Sequence, residues 1–198
     1  MAKGTPIQID LLDHPNVKRF AQAAEELCTT FECIEDLSEI EFLKRLEEQL
    51  SLVFSLAHQV PDPYNWQEDD DDVEGWDPGP EAYPSSEHPA RWQEWYKRIR
   101  EKLSSDHSHV CFVYDPATPD SREVVDGELA HMLAQIYLDL KKGLILYRRS
   151  SDEERAQALW DWRFGLAYHW GRHIVEVMLP IHSLVHQHWD EYKEVFDI

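Results

Sequence analysis

Residues 159–170, LWDWRFGLAYHW, carry the strongest indication of how this chain folds. With the residues that follow up to His173, they contain three Trp, two Arg and two His in a pattern typical of a single helix. Arg163 falls in the middle of the apolar face of that helix, although a guanidinium keeps its charge in a protein. We therefore expect Arg163 to contact a carboxylate or a row of carbonyl groups. The apolar face, drawn at about 100° per residue, consists of Ala156, Leu159, Trp160, Ala167, Trp170, Ile174 and Val177.

Apolar residues at helical spacing along the rest of the chain predict an all-α fold, a single-domain bundle of about six helices. The second helix begins with a capping-box pattern, Ser38 with Glu41. The helix described above is expected to reach Leu179, where Pro180 forces a kink or a restart. Residues 109–114 are predicted to form a short extended segment. The predicted helices cover residues 15–31, 38–60, 91–103, 126–147, 151–179 and 181–196.

Length and composition indicate a soluble, cytoplasmic protein with one domain over residues 1–198. A chain of this size buries about 70% of the surface that it exposes when unfolded, so its stability does not require disulfides or metals. Its three cysteines show no paired spacing, which is typical of reduced thiols. No apolar run approaches the roughly 20 residues of a membrane-spanning helix, and the amino terminus has no apolar signal segment. We expect no membrane association.

Half of the net charge of −20 lies in one part of the chain. Residues 61–90, called the acidic segment below, contain ten Asp and Glu and no Lys or Arg. We predict that this segment is an irregular loop insertion, in which Trp66 and Trp76 are candidate contacts for a partner. Nucleic acid is excluded as a partner, because its phosphates need cationic neutralisation.

Asp139 is the predicted partner of Arg163. On the helix over residues 126–147, Glu128, Gln135 and Asp139 lie on a flank about 80–120° from the centre of the apolar stripe. A neighbouring helix can bring Arg163 against that flank. Two interpretations remain open: a structural pair that fixes helix register, and an anion-binding Arg at the floor of a pocket.

His169 and His173 lie at i and i+4 and so share one face of the predicted helix. That spacing can supply two metal ligands, and a catalytic metal needs a third from elsewhere in the protein. The candidate third ligand is His58, near the end of the second helix. Eleven histidines make such spacings frequent by chance, and His182 with His186 forms another. We therefore predict no metal or other cofactor and keep a metal-dependent helical-bundle enzyme as the alternative function.

Three strings of the sequence resemble a known family. They are HVCFVYDP (109–116), ELAHMLAQIYLDLKKGLILY (128–147) and LWDWRFGLAYHWGRH (159–173). They resemble the small bacterial proteins called domain of unknown function 5063, over roughly residues 92–184. The resemblance implies a helical fold and a cytoplasmic bacterial setting. It implies no activity, and it transfers no catalytic residue to this chain.

The sequence contains none of the common nucleophile or phosphate-binding motifs. Our leading interpretation is therefore a non-enzymatic accessory protein that binds a protein partner. Arg163, Asp139, His169 and His173 are its candidate binding residues, together with the two tryptophans of the acidic segment. The oligomeric state is left open.

Overall fold

Seven α-helices form most of the part of the chain that the structure describes. The computed structural model describes residues 9–63, 80–104, 109–113 and 124–186. The helices are α1 (Ile9–Leu12), α2 (Pro15–Glu32), α3 (Glu39–Ala57), α4 (His88–Lys102), α5 (Leu129–Tyr147), α6 (Asp152–Tyr168) and α7 (Trp170–His186). The predicted all-α helical bundle is confirmed.

A two-stranded sheet corrects the predicted start of the fourth helix. Strands β1 (His109–Val113) and β2 (Val124–Glu128) pair antiparallel. β1 confirms the predicted extended segment. Residues 126–128, predicted as the first turn of a helix, belong instead to β2, and α5 begins at Leu129. Gly127, a poor helix former, lies opposite Val110 in the sheet.

The start of α3 follows the capping pattern of the sequence. The backbone N–H of Glu41 donates to Ser38 Oγ at 3.3 Å, and the N–H of Ser38 donates to the Glu41 carboxylate at 3.0 Å. These bonds satisfy donors that the first turn of a helix leaves unpaired. Ser38 Oγ also donates to the Glu41 carboxylate at 2.7 Å, and this bond, followed by the one from the Ser38 N–H, holds the pKa of the Glu41 carboxyl below its ordinary value.

The central helix of the bundle is α5, which packs against α2, α4, α6 and α7. Twelve of its residues are buried, so apolar side chains occur on most sides of the helix, as expected for one that is surrounded by others. On the far side of the core, α3 packs against α2 and α7. In this arrangement α6 packs mainly on α5, whereas α7 packs on both α5 and α3.

Close packing between α5 and α6 depends on Gly143 and Trp162. A Cβ atom at Gly143 would stand 2.0 Å from the indole nitrogen of Trp162. The indole is buried, donates to the carbonyl of Leu140 at 3.5 Å and packs edge-on against Phe20. Trp162 is absent from the predicted apolar face, and that prediction is wrong because Trp162, not Arg163, enters the core.

The fifth predicted helix is in fact two helices, α6 and α7, with a break at His169. The backbone of His169 has φ −141° and ψ −93°, outside the helical region. A Cβ at Gly165 would lie 2.3 Å from the Trp170 indole, and a Cβ at Gly171 would lie 2.0 Å from the carbonyl oxygen of Leu166. The close approach of the two helices at the break therefore requires glycine at both positions.

The break at His169 divides the predicted apolar face into two parts, whereas Pro180 does not interrupt the helix. Ala167, just before the break, is exposed, and Trp160 is only half-buried. α7 runs through Pro180, so the predicted restart at Ile181 is wrong. Val177 and Ile181 are both fully buried, and packing on either side of the proline outweighs the helix hydrogen bond that it removes. None of the described helices is both long and apolar enough to cross a membrane.

Candidate functional site

A groove between α5 and α6 brings together charged and aromatic side chains. It encloses a cavity of about 400 Å³, and we call it the α5–α6 groove. Its lining residues are Asp139, Lys142, Trp160, Asp161, Phe164, Gly165 and His169. A second cavity of about 410 Å³ shares Asp139 and Lys142 and extends along the end of the acidic segment. The groove therefore opens towards that segment.

Asp139 forms a hydrogen-bonded pair with His169 in the groove. Asp139 Oδ2 lies 2.6 Å from His169 Nδ1. This bond raises the pKa of His169 above its ordinary value, while partial burial of the ring opposes the shift. The break between α6 and α7 directs His169 to α5, because His169 is the residue that leaves helical geometry.

Asp161 and Lys142 form a second charged pair at the groove. The carboxylate of Asp161 is mostly buried and lies 3.3 Å from Lys142 Nζ. Gln157 donates to its other oxygen at 2.8 Å. Burial is the main cause of a raised pKa at Asp161, and Lys142 opposes it. Each carboxylate of the groove therefore contacts one cationic or protonatable group: Asp139 contacts His169, and Asp161 contacts Lys142.

Three aromatic rings form a ladder along the outer side of α6. Trp160, Phe164 and Tyr168 follow at intervals of four residues, and we call them the aromatic ladder. The Trp160 and Phe164 rings stack with centroids 4.9 Å apart, and those of Phe164 and Tyr168 lie 5.0 Å apart. Phe164 is 49% exposed and Tyr168 is 74% exposed. Core packing does not account for aromatic side chains held so openly in a row.

The predicted contact between Arg163 and Asp139 is wrong. Arg163 Nη1 donates to the carbonyl of Val60 at 2.5 Å, and its Nε lies 3.8 Å from Asp62. Its side chain is 40% exposed. A helical wheel drawn for one continuous helix places Arg163 in the core. In the structure, the rotation of α6 about its axis places Arg163 at the edge of the core, where it faces the end of α3. Asp139 is instead occupied by His169.

Arginines hold both ends of the acidic segment. Arg163 binds the chain where it leaves α3, at Val60 and Asp62. Arg149, after α5, donates to the carbonyl of Ala82 at 2.8 Å and to that of Glu81 at 3.1 Å. The acidic segment therefore begins and ends beside α6. Its residues 64–79, including the predicted contacts Trp66 and Trp76, lie outside the described residues.

The end of the acidic segment is more ordered than predicted. Ala82 is buried against Leu146 and Ala158. A short 3-10 helix covers Ser85–Glu87, and α4 begins at His88. The expectation of an irregular loop over the whole of residues 61–90 is wrong for this end, because Arg149 and Ala82 attach it to the bundle.

His173 faces a different cavity from His169. Its Nδ1 lies 3.1 Å from Glu176, and burial lowers the pKa of His173 below its ordinary value. The cavity, of about 310 Å³, is also lined by Glu128 and His131. Although His169 and His173 are four residues apart, their imidazole planes are inclined at 71° and each binds its own carboxylate.

The predicted three-histidine site is not formed. His58 lies at the end of α3, exposed, with its ring edge-on to Phe54. In the part of the chain that the structure describes, a different set of potential ligands comes within 4.8 Å: Glu47, His182 and His186. The metal-dependent alternative therefore loses the residues on which it was based.

Sequence reasoning missed the aromatic ladder, Lys142 and Asp161. The ladder carries a readable signal, since Trp160, Phe164 and Tyr168 are spaced to share one side of a helix. That signal is hidden when Trp160 is assigned to the core. Lys142 and Asp161 come together only through the packing of α5 on α6, which no local pattern predicts.

Comparison with known proteins identifies the family and the fold. No curated protein matches the chain. A similar solved structure is the crystal structure of protein BF1032 from Bacteroides fragilis, with a TM-score of 0.67 and 18% sequence identity. The similarity covers 88% of this chain and 94% of that chain, and at this identity it shows the fold alone. The model of the family described as "Domain of unknown function (DUF5063)" matches residues 13–187, and the chain therefore belongs to that family.

Proposed function

We propose that this protein is a non-enzymatic accessory protein that binds a protein partner in the α5–α6 groove. The bound segment of the partner is basic and places a large apolar side chain in the groove. The observation that carries the proposal is the aromatic ladder. Phe164 and Tyr168 expose large apolar rings beside a cavity that can take a side chain. Aromatic residues at the edge of such a pocket are typical of binding hot spots.

The charge of the chain favours a basic partner. The protein has a net charge of −20, and the acidic segment supplies ten carboxylates on a stretch whose ends are held beside α6. Because like charges repel and opposite charges steer encounter, a segment rich in Lys or Arg gains both in rate and in specificity. The same acidity disfavours nucleic acid.

The groove lining supports binding rather than catalysis. Asp139 and His169 form a pair that could transfer a proton, but the residues that line the first cavity include no Ser, Thr or Cys to act as a nucleophile beside it. Trp66 and Trp76 remain proposed additional contacts. A cytoplasmic location is part of the proposal, supported by Cys28 and Cys33, which are both free thiols.

Selection from a random-peptide display library tests the proposal. The full-length protein should enrich peptides that combine an aromatic or large aliphatic residue with flanking Lys or Arg. Synthetic peptides of the enriched sequences should bind in fluorescence anisotropy. The variants Phe164→Ala and Tyr168→Ala should each weaken binding at least about tenfold, which is about 1.4 kcal/mol.

Leu52→Ala is the matched control. Leu52 lies on α3 and is 46% exposed, close to the value for Phe164, so its replacement removes an equally open apolar side chain. It should leave peptide affinity unchanged. Enriched peptides that bind Phe164→Ala, Tyr168→Ala and the unmodified protein equally, or a selection that enriches no basic-apolar sequence, would contradict the proposal.

A further inference from the structure

One carboxylate on α3 contacts two histidines on α7. Glu47 Oε1 lies 2.6 Å from His182 Nδ1, and Glu47 Oε2 lies 3.3 Å from His186 Nε2. The two imidazole centroids are 4.5 Å apart. The three side chains offer one ligand atom each, and these atoms all lie within 4.8 Å of one another. None of these residues takes part in the α5–α6 groove.

We propose that Glu47, His182 and His186 form a binding site for a divalent transition-metal ion. Two imidazole nitrogens and one carboxylate oxygen are a donor set suited to Zn²⁺ and to neighbouring transition metals. The two histidines lie one helical turn apart within a continuous helix, so both can direct a nitrogen at one point. Glu47 supplies the third ligand from a second helix.

The packing of α3 on α7 fixes the backbone positions that carry these side chains, while the two imidazoles themselves are exposed. On α7, Ile181 and Val185 are buried. Ile181 directly precedes His182, and Val185 directly precedes His186. On α3, Leu46 is fully buried and precedes Glu47, whose own side chain is only 22% exposed. The helix rotations are therefore fixed by the core, and an ion has to displace only the hydrogen bond between Glu47 and His182 and to turn the exposed imidazoles towards it.

Charge also favours a cation at this position. In the structure both imidazoles contact the same carboxylate, that of Glu47. A divalent cation between the three side chains would be attracted by that carboxylate and would accept the lone pairs of the imidazole nitrogens. The strongly acidic chain adds a long-range attraction for cations.

Three protein ligands leave further coordination positions for water or for a ligand group. The ion would join the carboxyl-terminal half of α7 to the middle of α3, two helices that no covalent link connects within this region. Zinc should therefore raise the melting temperature of the folded chain in a concentration-dependent way, since it binds the native state preferentially.

Isothermal titration of the full-length, tag-free protein with zinc chloride, after treatment with a chelator, tests this site. The unmodified chain should bind one zinc ion with a rise in melting temperature. Glu47→Gln, His182→Ala and His186→Ala should each weaken zinc binding at least about tenfold. Circular dichroism without zinc should show that each variant folds like the unmodified chain.

Two control variants separate a three-ligand site from general surface binding. Glu48→Gln removes the neighbouring carboxylate, and His58→Ala removes an exposed histidine at the carboxyl-terminal end of α3, away from Glu47. Both should bind zinc as the unmodified chain does. Unchanged affinity in Glu47→Gln would overturn the proposal by showing that the two histidines alone bind zinc. Retention of zinc by His182→Ala, or no binding by the unmodified chain, would also overturn it.

Discussion

Two pairs of histidines have the same spacing in the sequence and opposite arrangements in the structure. His169 and His173 each bind a different carboxylate, and their ring planes are inclined at 71°. His182 and His186 both contact one carboxylate, that of Glu47. The His169 and His173 rings still touch, with centroids 5.1 Å apart, so an i, i+4 spacing does not by itself decide whether two histidines share one carboxylate.

The difference arises from helix continuity. His182 and His186 lie within α7, so the helix places them on one face. His169 lies before α7 begins, and its non-helical backbone sends its side chain to α5. The helix break thus turns one histidine into part of the α5–α6 groove and leaves its neighbour in a separate cavity.

The largest effect is expected from removing the glycine that permits the break. Gly171→Ala would place a Cβ about 2.0 Å from the carbonyl oxygen of Leu166, an atom of the backbone that cannot rotate away. We expect a loss of roughly 3 kcal/mol in the free energy of unfolding, measured by urea denaturation. Ser183→Ala, an exposed change on the same helix, should alter stability by less than about 0.5 kcal/mol. Equal stabilities of the two variants would mean that α6 and α7 are not closely opposed there.

A smaller, pH-dependent effect is expected at the Asp139–His169 pair. The folded-state pKa of His169 is raised, chiefly by its hydrogen bond to Asp139, so the pair stabilises the fold fully below the unfolded pKa of about 6.5. That contribution disappears as the pH rises through the folded pKa. Asp139→Asn should therefore cost more stability at about pH 5.5 than at about pH 8.5. Because His169 is 44% exposed, solvent screening keeps the difference below about 1 kcal/mol.

Urea denaturation at the two pH values measures this difference. Asp36→Asn serves as the control, since Asp36 is an exposed aspartate for which the same substitution should show no such pH dependence. A larger cost at the higher pH would give the opposite sign and would refute the assigned pair.

The effect expected at Arg163 is also small, and it distinguishes a broken helix from a continuous one. In a continuous helix Arg163 would be buried against Asp139, and its loss would cost roughly 3–5 kcal/mol. In the structure Arg163 is partly exposed and binds a carbonyl group and Asp62. Arg163→Ala should therefore cost about 1 kcal/mol, measured by thermal and urea unfolding. A loss above about 3 kcal/mol would support the continuous helix.

Local signals predicted the helices well. The capping box of Ser38 and Glu41 depends only on residues three apart, and the structure reproduces it. The apolar repeat of α5 is strong enough to define that helix to its last residue, Tyr147. These features could be predicted because the interactions that produce them lie within one element.

The site could not be predicted to the same extent, because it depends on how helices meet. The break at His169 is produced by contacts between α6 and α7 at Gly165 and Gly171. Proline is the stronger local helix breaker, so the sequence pointed to Pro180 instead. Because the sequence indicates a break at Pro180 and not at His169, the predicted apolar face of α6 is rotated from the true one. Arg163 is then assigned to Asp139.

Nuclear magnetic resonance titration of the histidine rings tests the central claim, that the break gives His169 and His173 separate environments. The rings can be assigned with the variants His169→Gln and His173→Gln. The structure predicts that His169 titrates above the ordinary histidine pKa, because of Asp139, and that His173 titrates below it, because of burial. Shifts in the same direction for both rings would contradict the break and would favour the continuous helix.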